Sequence, residues 1–133
     1  EPNLAGPGKR MLSSMTPTVV EKDGDLFMVT GSPGGRTIIN TVLQTIVNVI
    51  DFGMNIQEAV DAPRFHHQWL PDRISYERHG LSPDTRTLLE SKGHRLVALD
   101  RQGAAQAIRY DASADVLEGA PDRRRAGSTA LGY

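Results

Sequence analysis

Apolar and polar positions change their period several times along this chain. Thr18-Val19-Val20-Glu21 and Leu26-Phe27-Met28-Val29-Thr30 read as two strands, joined through Lys22-Asp23-Gly24-Asp25. Asp-Gly between two such runs is a hairpin signal, because glycine accepts the positive φ that the tightest hairpin turns require. Between Thr37 and Asp51 the period lengthens. Thr37, Thr41, Gln44, Asn48 and Asp51 step by four, three, four and three residues, marking one stripe of a helix. The rest of that perimeter is mostly apolar, which predicts a largely buried helix sandwiched against a sheet and ended by Gly53.

Further along, Asn55 followed by Glu58 has the form of a capping box, opening a short helix that Pro63 stops by Ala62. Ile74–Glu77 reads as a strand. Ser82-Pro83-Asp84 supplies a cap, a first-turn proline and an acid at the positive end of the helix dipole. The helix they start runs to Lys92, with Gly93 as its stop. Arg95–Leu99, Ala105–Tyr110 and Val116–Gly119 are further strands, with a turn at Asp111–Asp115. The predicted order is two strands, two helices, a strand, a helix and three strands. That order suits an α+β layered arrangement with an antiparallel sheet, in one domain or one piece of a domain spanning residues 1–133. No repeat, low-complexity segment or linker divides it.

Composition narrows the class. With 133 residues, 38% hydrophobic and 23% charged, the chain has the profile of a globular domain. A net charge of −1 gives no prior for nucleic acid or acidic membranes. The longest apolar stretch, Ile38–Ile50, is too short and too interrupted by polar residues to span a bilayer. Arg123-Arg124-Arg125 reads as a solvated surface run. Without cysteine there is neither a disulfide framework nor a thiol nucleophile. Glu1-Pro-Asn-Leu-Ala-Gly-Pro-Gly resembles a loop entered partway, as in a processed product or a piece cut from something longer, and residues 1–10 should be irregular.

The candidate chemistry centres on Thr30-Gly31-Ser32-Pro33-Gly34-Gly35-Arg36, between a strand end and a helix start. Glycines there leave backbone N–H groups unhindered at the positive end of a helix dipole, a place for a negative oxygen. The competing role is a tight turn that needs glycine only for its dihedrals, and spacing alone favours that role. Ser13 and Ser14 are either ordinary loop hydroxyls or neutral donors to a carboxylate. His66 and His67 diverge in an extended chain and form no natural metal pair; packing and hydrogen bonding with Phe65 and Trp69 around a turn is the expected role. His79 and His94 are lone. No pair of Asp or Glu is placed by spacing to share acid–base work. G-x-G-x-x-G, Walker A and G-x-S-x-G patterns are absent.

Taken together, Lys9-Arg10-Met-Leu-Ser-Ser-Met-Thr-Pro-Thr18, Val29-Thr-Gly-Ser-Pro-Gly-Gly-Arg36 and Ala62-Pro-Arg-Phe-His-His-Gln-Trp-Leu-Pro71 resemble the gamma-glutamyltranspeptidase family, in its small subunit's C-terminal two-thirds or so. The likeness continues through Leu81–Asp84, Leu88–Gly93 and Gly132-Tyr133. It implies an N-terminal-nucleophile hydrolase αββα sandwich and an enzyme that cleaves itself into two subunits, exposing a threonine nucleophile. Such enzymes transfer the gamma-glutamyl group of glutathione and related amides to water, amino acids or peptides. By position, Gly34 and Gly35 match the oxyanion-hole glycines, while Ser13 and Ser14 match the serines that hold the glutamyl alpha-carboxylate. No cofactor or metal is implied.

The departures bound that implication. The nucleophile, its surrounding motif and the residues gripping the alpha-amino group belong before Glu1, and the arginine for the alpha-carboxylate belongs to the large subunit. The partners expected are therefore the large subunit, the N-terminal part of the small subunit and a small gamma-glutamyl substrate. Thr16, Thr18 and Thr37 are internal and cannot offer the free amine that acts as base. Met11 stands in place of a proline, and Gly103-Ala-Ala-Gln106 replaces a more polar Gly-Ser-Thr-Gln, altering a packing or active-site contact. A related acylase of cephalosporin or capsule-processing type, or a non-catalytic scaffold fragment, is the alternative; the chain alone is expected to be inactive. Periplasmic or extracellular placement is inherited from the resemblance.

Overall fold

The computed structural model describes residues 4–10 and 14–132. Ser13, the Met11 replacement, Tyr133 and the first three residues of the expected irregular lead-in lie outside that range. The predicted hairpin forms as β1 (Thr18–Lys22) and β2 (Asp25–Gly31), turning through Asp23 and Gly24, both at positive φ. A short 3-10 turn (Gly35–Thr37) leads into α1 (Ile38–Ile50), and Gly53 follows at a φ of 65°. The Asn55–Glu58 capping box closes in both directions at the start of α2 (Ile56–Asp61). β3 (Phe65–His66), β4 (Ile74–Glu77), α3 (Pro83–Ser91), β5 (Leu96–Leu99), β6 (Gln106–Asp111) and β7 (Val116–Pro121) complete the order. Ser82 caps α3 by accepting from the Thr85 N–H, with Pro83 in the first turn. The two-residue β3 is the element the pattern did not announce, being too short to show a period.

Two sheets result. β1-β2-β6-β7 is antiparallel throughout; Val19 faces Val29, and Val29 faces Ile108. The second sheet, β3-β4-β5, departs from the antiparallel expectation at one pair. β4 and β5 run parallel because α3 carries the chain back before β5 begins. The core lies between the four-stranded sheet and the helices. Met28, Ala105, Ala107 and Ala120 meet Val49 on α1 and Ile56, Ala59 and Val60 on α2. The small alanines let α2 approach β6 and β7 closely.

The orientation of α1 differs from the expected one. Thr41 of the polar stripe and Thr45 beside it are buried, while Ile39, Leu43 and Ile50 are exposed. Most of the inward polar groups find partners, while Thr41 Oγ1 is buried without one among the described residues. Thr45 donates to the Thr41 carbonyl, Asn48 to the Ala59 carbonyl, and Gln44 exchanges hydrogen bonds with the Phe65 backbone. A polar side chain can be buried at little cost once it is hydrogen-bonded.

The tail also departs from expectation. Arg123 is exposed, but Arg124 folds inward beside the fully buried Asp122. Arg124 clasps Glu77 with its Nε at 2.7 Å and its second terminal nitrogen at 2.6 Å. Arg64, 2% exposed, donates to Asp122 Oδ2 at 2.8 Å. Both guanidiniums also donate to the Val60 carbonyl, and Arg124 reaches those of Asp61 and Ala62. They thereby cap the C-terminal carbonyls of α2, where positive charge is favoured.

Burial pushes the Asp122 carboxyl upward, but the Arg124 N–H and the Arg64 guanidinium outweigh it and hold the group below its ordinary range. A depressed folded-state pKa means that the unfolded chain takes up the proton first as pH falls. The stability Asp122 contributes is therefore complete above its unfolded value of about 3.9 and lost as pH falls from there through the folded value. Denaturant titrations at stepped pH should show this acid-labile component, and D122N should lack it. Removing the carboxylate with D122A should cost about 3–5 kcal/mol at neutral pH, since Arg64 is left buried without its counter-charge.

Candidate functional site: a glycine turn at a helix start

The end of β2 is held before the turn begins. The Ser32 N–H donates to the Met15 carbonyl at 2.9 Å, fixing the Ser14–Thr16 segment beside the turn. Ser32 itself is buried. Its hydroxyl donates to the Pro33 carbonyl at 2.7 Å and accepts from the Ala104 N–H at 3.1 Å. From this anchored point Pro33, Gly34, Gly35 and Arg36 run along the surface.

Gly34 has a φ of 146° and Gly35 a φ of 57°, conformations that L-residues rarely adopt. A Cβ on Gly34 would sit 2.8 Å from Thr37 Oγ1 and 3.4 Å from Gly103 Cα, whereas one on Gly35 would meet nothing within 4 Å. Gly34 is thus required by packing as well as by dihedral. The Gly34 carbonyl accepts from both the N–H and the hydroxyl of Thr37, starting the 3-10 turn. The Gly34 and Gly35 N–H groups precede the first repeating bonds of that turn, and among the described residues neither has an acceptor. The arrangement offers two adjacent backbone donors at an exposed helix start, able to bind an oxyanion.

Residues 102–105 form the wall behind the turn. Gly103 has a φ of 69°, and a Cβ there would lie 2.7 Å from Thr41 Oγ1 and 3.1 Å from Ser32 Oγ. The Gln102 N–H donates to Glu77 Oε1 at 2.6 Å and the Ala105 N–H to Asp122 Oδ2 at 2.7 Å. Ala104 and Ala105 are buried, and their N–H groups bond to Ser32 and Asp122. The ion network therefore reaches the glycine turn in two steps: its carboxylates hold the 102–105 wall, and the wall holds Ser32. Burial, then the nearby Arg124, pushes Arg64 below its ordinary value, while Glu77 and Asp122 outweigh burial and raise Arg124.

Among the predicted site residues, the structure places Gly34, Gly35 and Ser14 on linked segments, Ser14 being exposed. Ser13 is outside the described residues. His94, expected to be lone, meets the His67 ring edge-to-face at 6.3 Å, and among the described residues no group of three His, Cys, Asp or Glu could hold a metal. His66 pairs with Gln68, and His67 with Asp72. Sequence reading missed Ser32, Arg64, Glu77, Asp122 and Arg124. Ser32 and Arg64 stand inside the motifs that carry the resemblance, but no local spacing ties them to Ala104, Glu77, Asp122 or Arg124.

Comparison with known proteins decides the family. A sequence model of gamma-glutamyltranspeptidase matches residues 1–132. The chain belongs to the gamma-glutamyltranspeptidase family. It is 52% identical over 131 residues to the Escherichia coli K12 glutathione hydrolase proenzyme, covering 98% of this chain and 22% of that protein. Against the corresponding proenzyme of Pseudomonas sp. strain A14 it is 48% identical over 141 residues, covering all of this chain and 24% of the other. The crystal structure of the T380A mutant of Helicobacter pylori gamma-glutamyltranspeptidase superposes with a TM-score of 0.83. Its sequence identity is 46%, over 91% of this chain and 66% of that one. The fold is therefore that of part of an N-terminal-nucleophile hydrolase sandwich, and the chain spans less than a quarter of those two proenzymes.

Replacing Ser32 by Ala leaves the buried Ala104 N–H without its acceptor. Urea denaturation should show a loss of about 1–3 kcal/mol, the usual cost of an orphaned buried donor.

Proposed function

We propose that this chain is the C-terminal part of the small subunit of a gamma-glutamyltransferase, or glutathione hydrolase, and supplies the electrostatic half of its active site. The observation that carries the reading is the Gly34–Gly35 turn. It presents two backbone donors without acceptors among the described residues, in a chain that matches the family almost end to end. In the reaction, a threonine from the remaining small subunit attacks the gamma-amide carbonyl carbon, and the electron pair moves onto the oxygen. Gly34 and Gly35 donate to that oxyanion, which collapses to expel the amine and leave a gamma-glutamyl ester. Water or an acceptor amine then attacks the ester through a second oxyanion in the same place. Ser13 and Ser14 donate to the alpha-carboxylate at the other end of the substrate.

The surface supports the partners this reading requires. Val19, Val29, Ile108 and Leu117 leave an apolar face of the four-stranded sheet exposed, as in half of a two-sheet sandwich. The rest of the small subunit and the large subunit cover it in the complete enzyme, which belongs in the periplasm or outside the cell. The chain alone is inactive.

Two measurements on the complete enzyme test the assignment. Gly34→Ala, whose methyl collides with Thr37 and displaces the turn, should lower kcat by about 10²–10³-fold, as loss of an oxyanion donor does. Gly35→Ala is strained by its φ of 57° but collides with nothing, and should lose less than Gly34→Ala; equal and near-normal rates in both would remove the oxyanion role. Ser14→Ala should raise KM about 10–100-fold for donors with a free alpha-carboxylate and leave alpha-methyl-ester donors unaffected, reflecting one charge-assisted hydrogen bond. A uniform effect on both donors would favour an acylase of different specificity.

A further inference from the structure

Away from the glycine turn, a cavity of about 530 Å³ opens between β4, β5 and the start of α3, lined by Tyr76, Arg78, His79, Leu81, Arg86 and Ala98 among others. Two features of its lining are unusual. Arg86 has its Nε buried and unpartnered, and its guanidinium makes no hydrogen bond or ion pair with any described residue. Tyr76 is 8% exposed, and its hydroxyl has no partner among the described residues. The Tyr76 hydroxyl and the terminal nitrogens of Arg86 are open to the cavity and have no acceptor among the described residues, which leaves a cation beside a hydroxyl with no counter-charge.

The neighbouring charges do not fill it. Arg78 is occupied by Asp100 at 3.1 Å on the exposed side. Ser82 spends its hydroxyl on Thr85, accepting from its N–H and donating to its side chain. Neither Asp84, in the first turn of α3, nor any other Asp or Glu lines the cavity. Leu81, Pro83, Ala98 and Tyr76 give the lining its apolar share.

We propose that this cavity is a carboxylate-binding site, separate from the glycine turn. Arg86 supplies the charge and the N–H donors of its terminal nitrogens, Tyr76 a hydroxyl donor, and the apolar lining receives the body of the ligand. A planar guanidinium with its edge free is suited to a carboxylate, and a pocket that joins a few polar groups to apolar lining favours an organic acid over a naked inorganic anion. The carboxylate comes either from a free organic acid or from an Asp or Glu of the remaining polypeptide seated on Arg86.

The test uses the complete enzyme and two readouts. Fluorine NMR follows 4-fluorobenzoate titrated into the wild type, R86M and a control, K92M, at the far end of α3. With a free acid as ligand, wild type and K92M bind saturably while R86M binds about tenfold more weakly or not at all. With a protein carboxylate as ligand, the probe is excluded from all three, and a crystal structure shows an Asp or Glu oxygen within hydrogen-bond reach of the terminal nitrogens of Arg86. If binding is indifferent to R86M, or if no binding is seen and no carboxylate stands at Arg86, the site is overturned. Neither result bears on Gly34 and Gly35, so failure here is distinct from failure of the proposed catalytic role.

Discussion

Three buried charges, Arg64, Glu77 and Asp122, with the half-buried Arg124, are the constraint on which the candidate site depends. Burying ions is expensive, and attraction alone seldom repays it. Here each charge also meets neutral groups that would otherwise be orphaned. The guanidiniums cap the end of α2, Asp122 accepts the Ala105 N–H, and Glu77 accepts those of Arg64 and Gln102. The network thus does more than cross-link the tail to β4. It holds the 102–105 wall, which supplies the Ala104 N–H to Ser32 and packs its Gly103 against the glycine turn.

Seen from the site, this explains how an exposed pair of N–H groups keeps its aim. Surface loops ordinarily move. This one is tied at Ser32 from both sides, to Met15 and to Ala104, and is closed at Thr37 onto the Gly34 carbonyl. Donors that are fixed before the charge develops avoid reorganisation at the moment of reaction, the main advantage of an oxyanion hole over water. Close approach of Gly34, Gly103 and Thr41 leaves little room for adjustment.

Local signals were legible in the sequence wherever the physics is local. The Asp-Gly hairpin, the Asn55–Glu58 capping box, the Ser82-Pro83 helix start and the glycine stops all rest on a few adjacent residues, and all formed. Reading failed where partners come from far along the chain. The 3.6-residue pattern marks the apolar perimeter of α1 for burial, and nothing nearby reveals that the helix turns Thr41 and Thr45 inward and leaves Ile39, Leu43 and Ile50 exposed. Arg124 looked like one of three solvated arginines, since Glu77 lies on a distant strand. The parallel β4–β5 pair was hidden for the same reason. Gly34 and Gly35 were identified as candidates by spacing, but the flanking motifs, more than the spacing, made an oxyanion hole the better reading.

The claim that matters most is that this turn receives the developing negative charge. A crystal structure of the complete enzyme carrying a tetrahedral adduct on its nucleophile measures it directly. The account predicts the adduct oxygen about 2.7–3.1 Å from both the Gly34 and Gly35 nitrogens, with no other backbone donor taking their place. An oxygen lying beyond hydrogen-bond reach of both nitrogens, or held by donors from another segment, would contradict it.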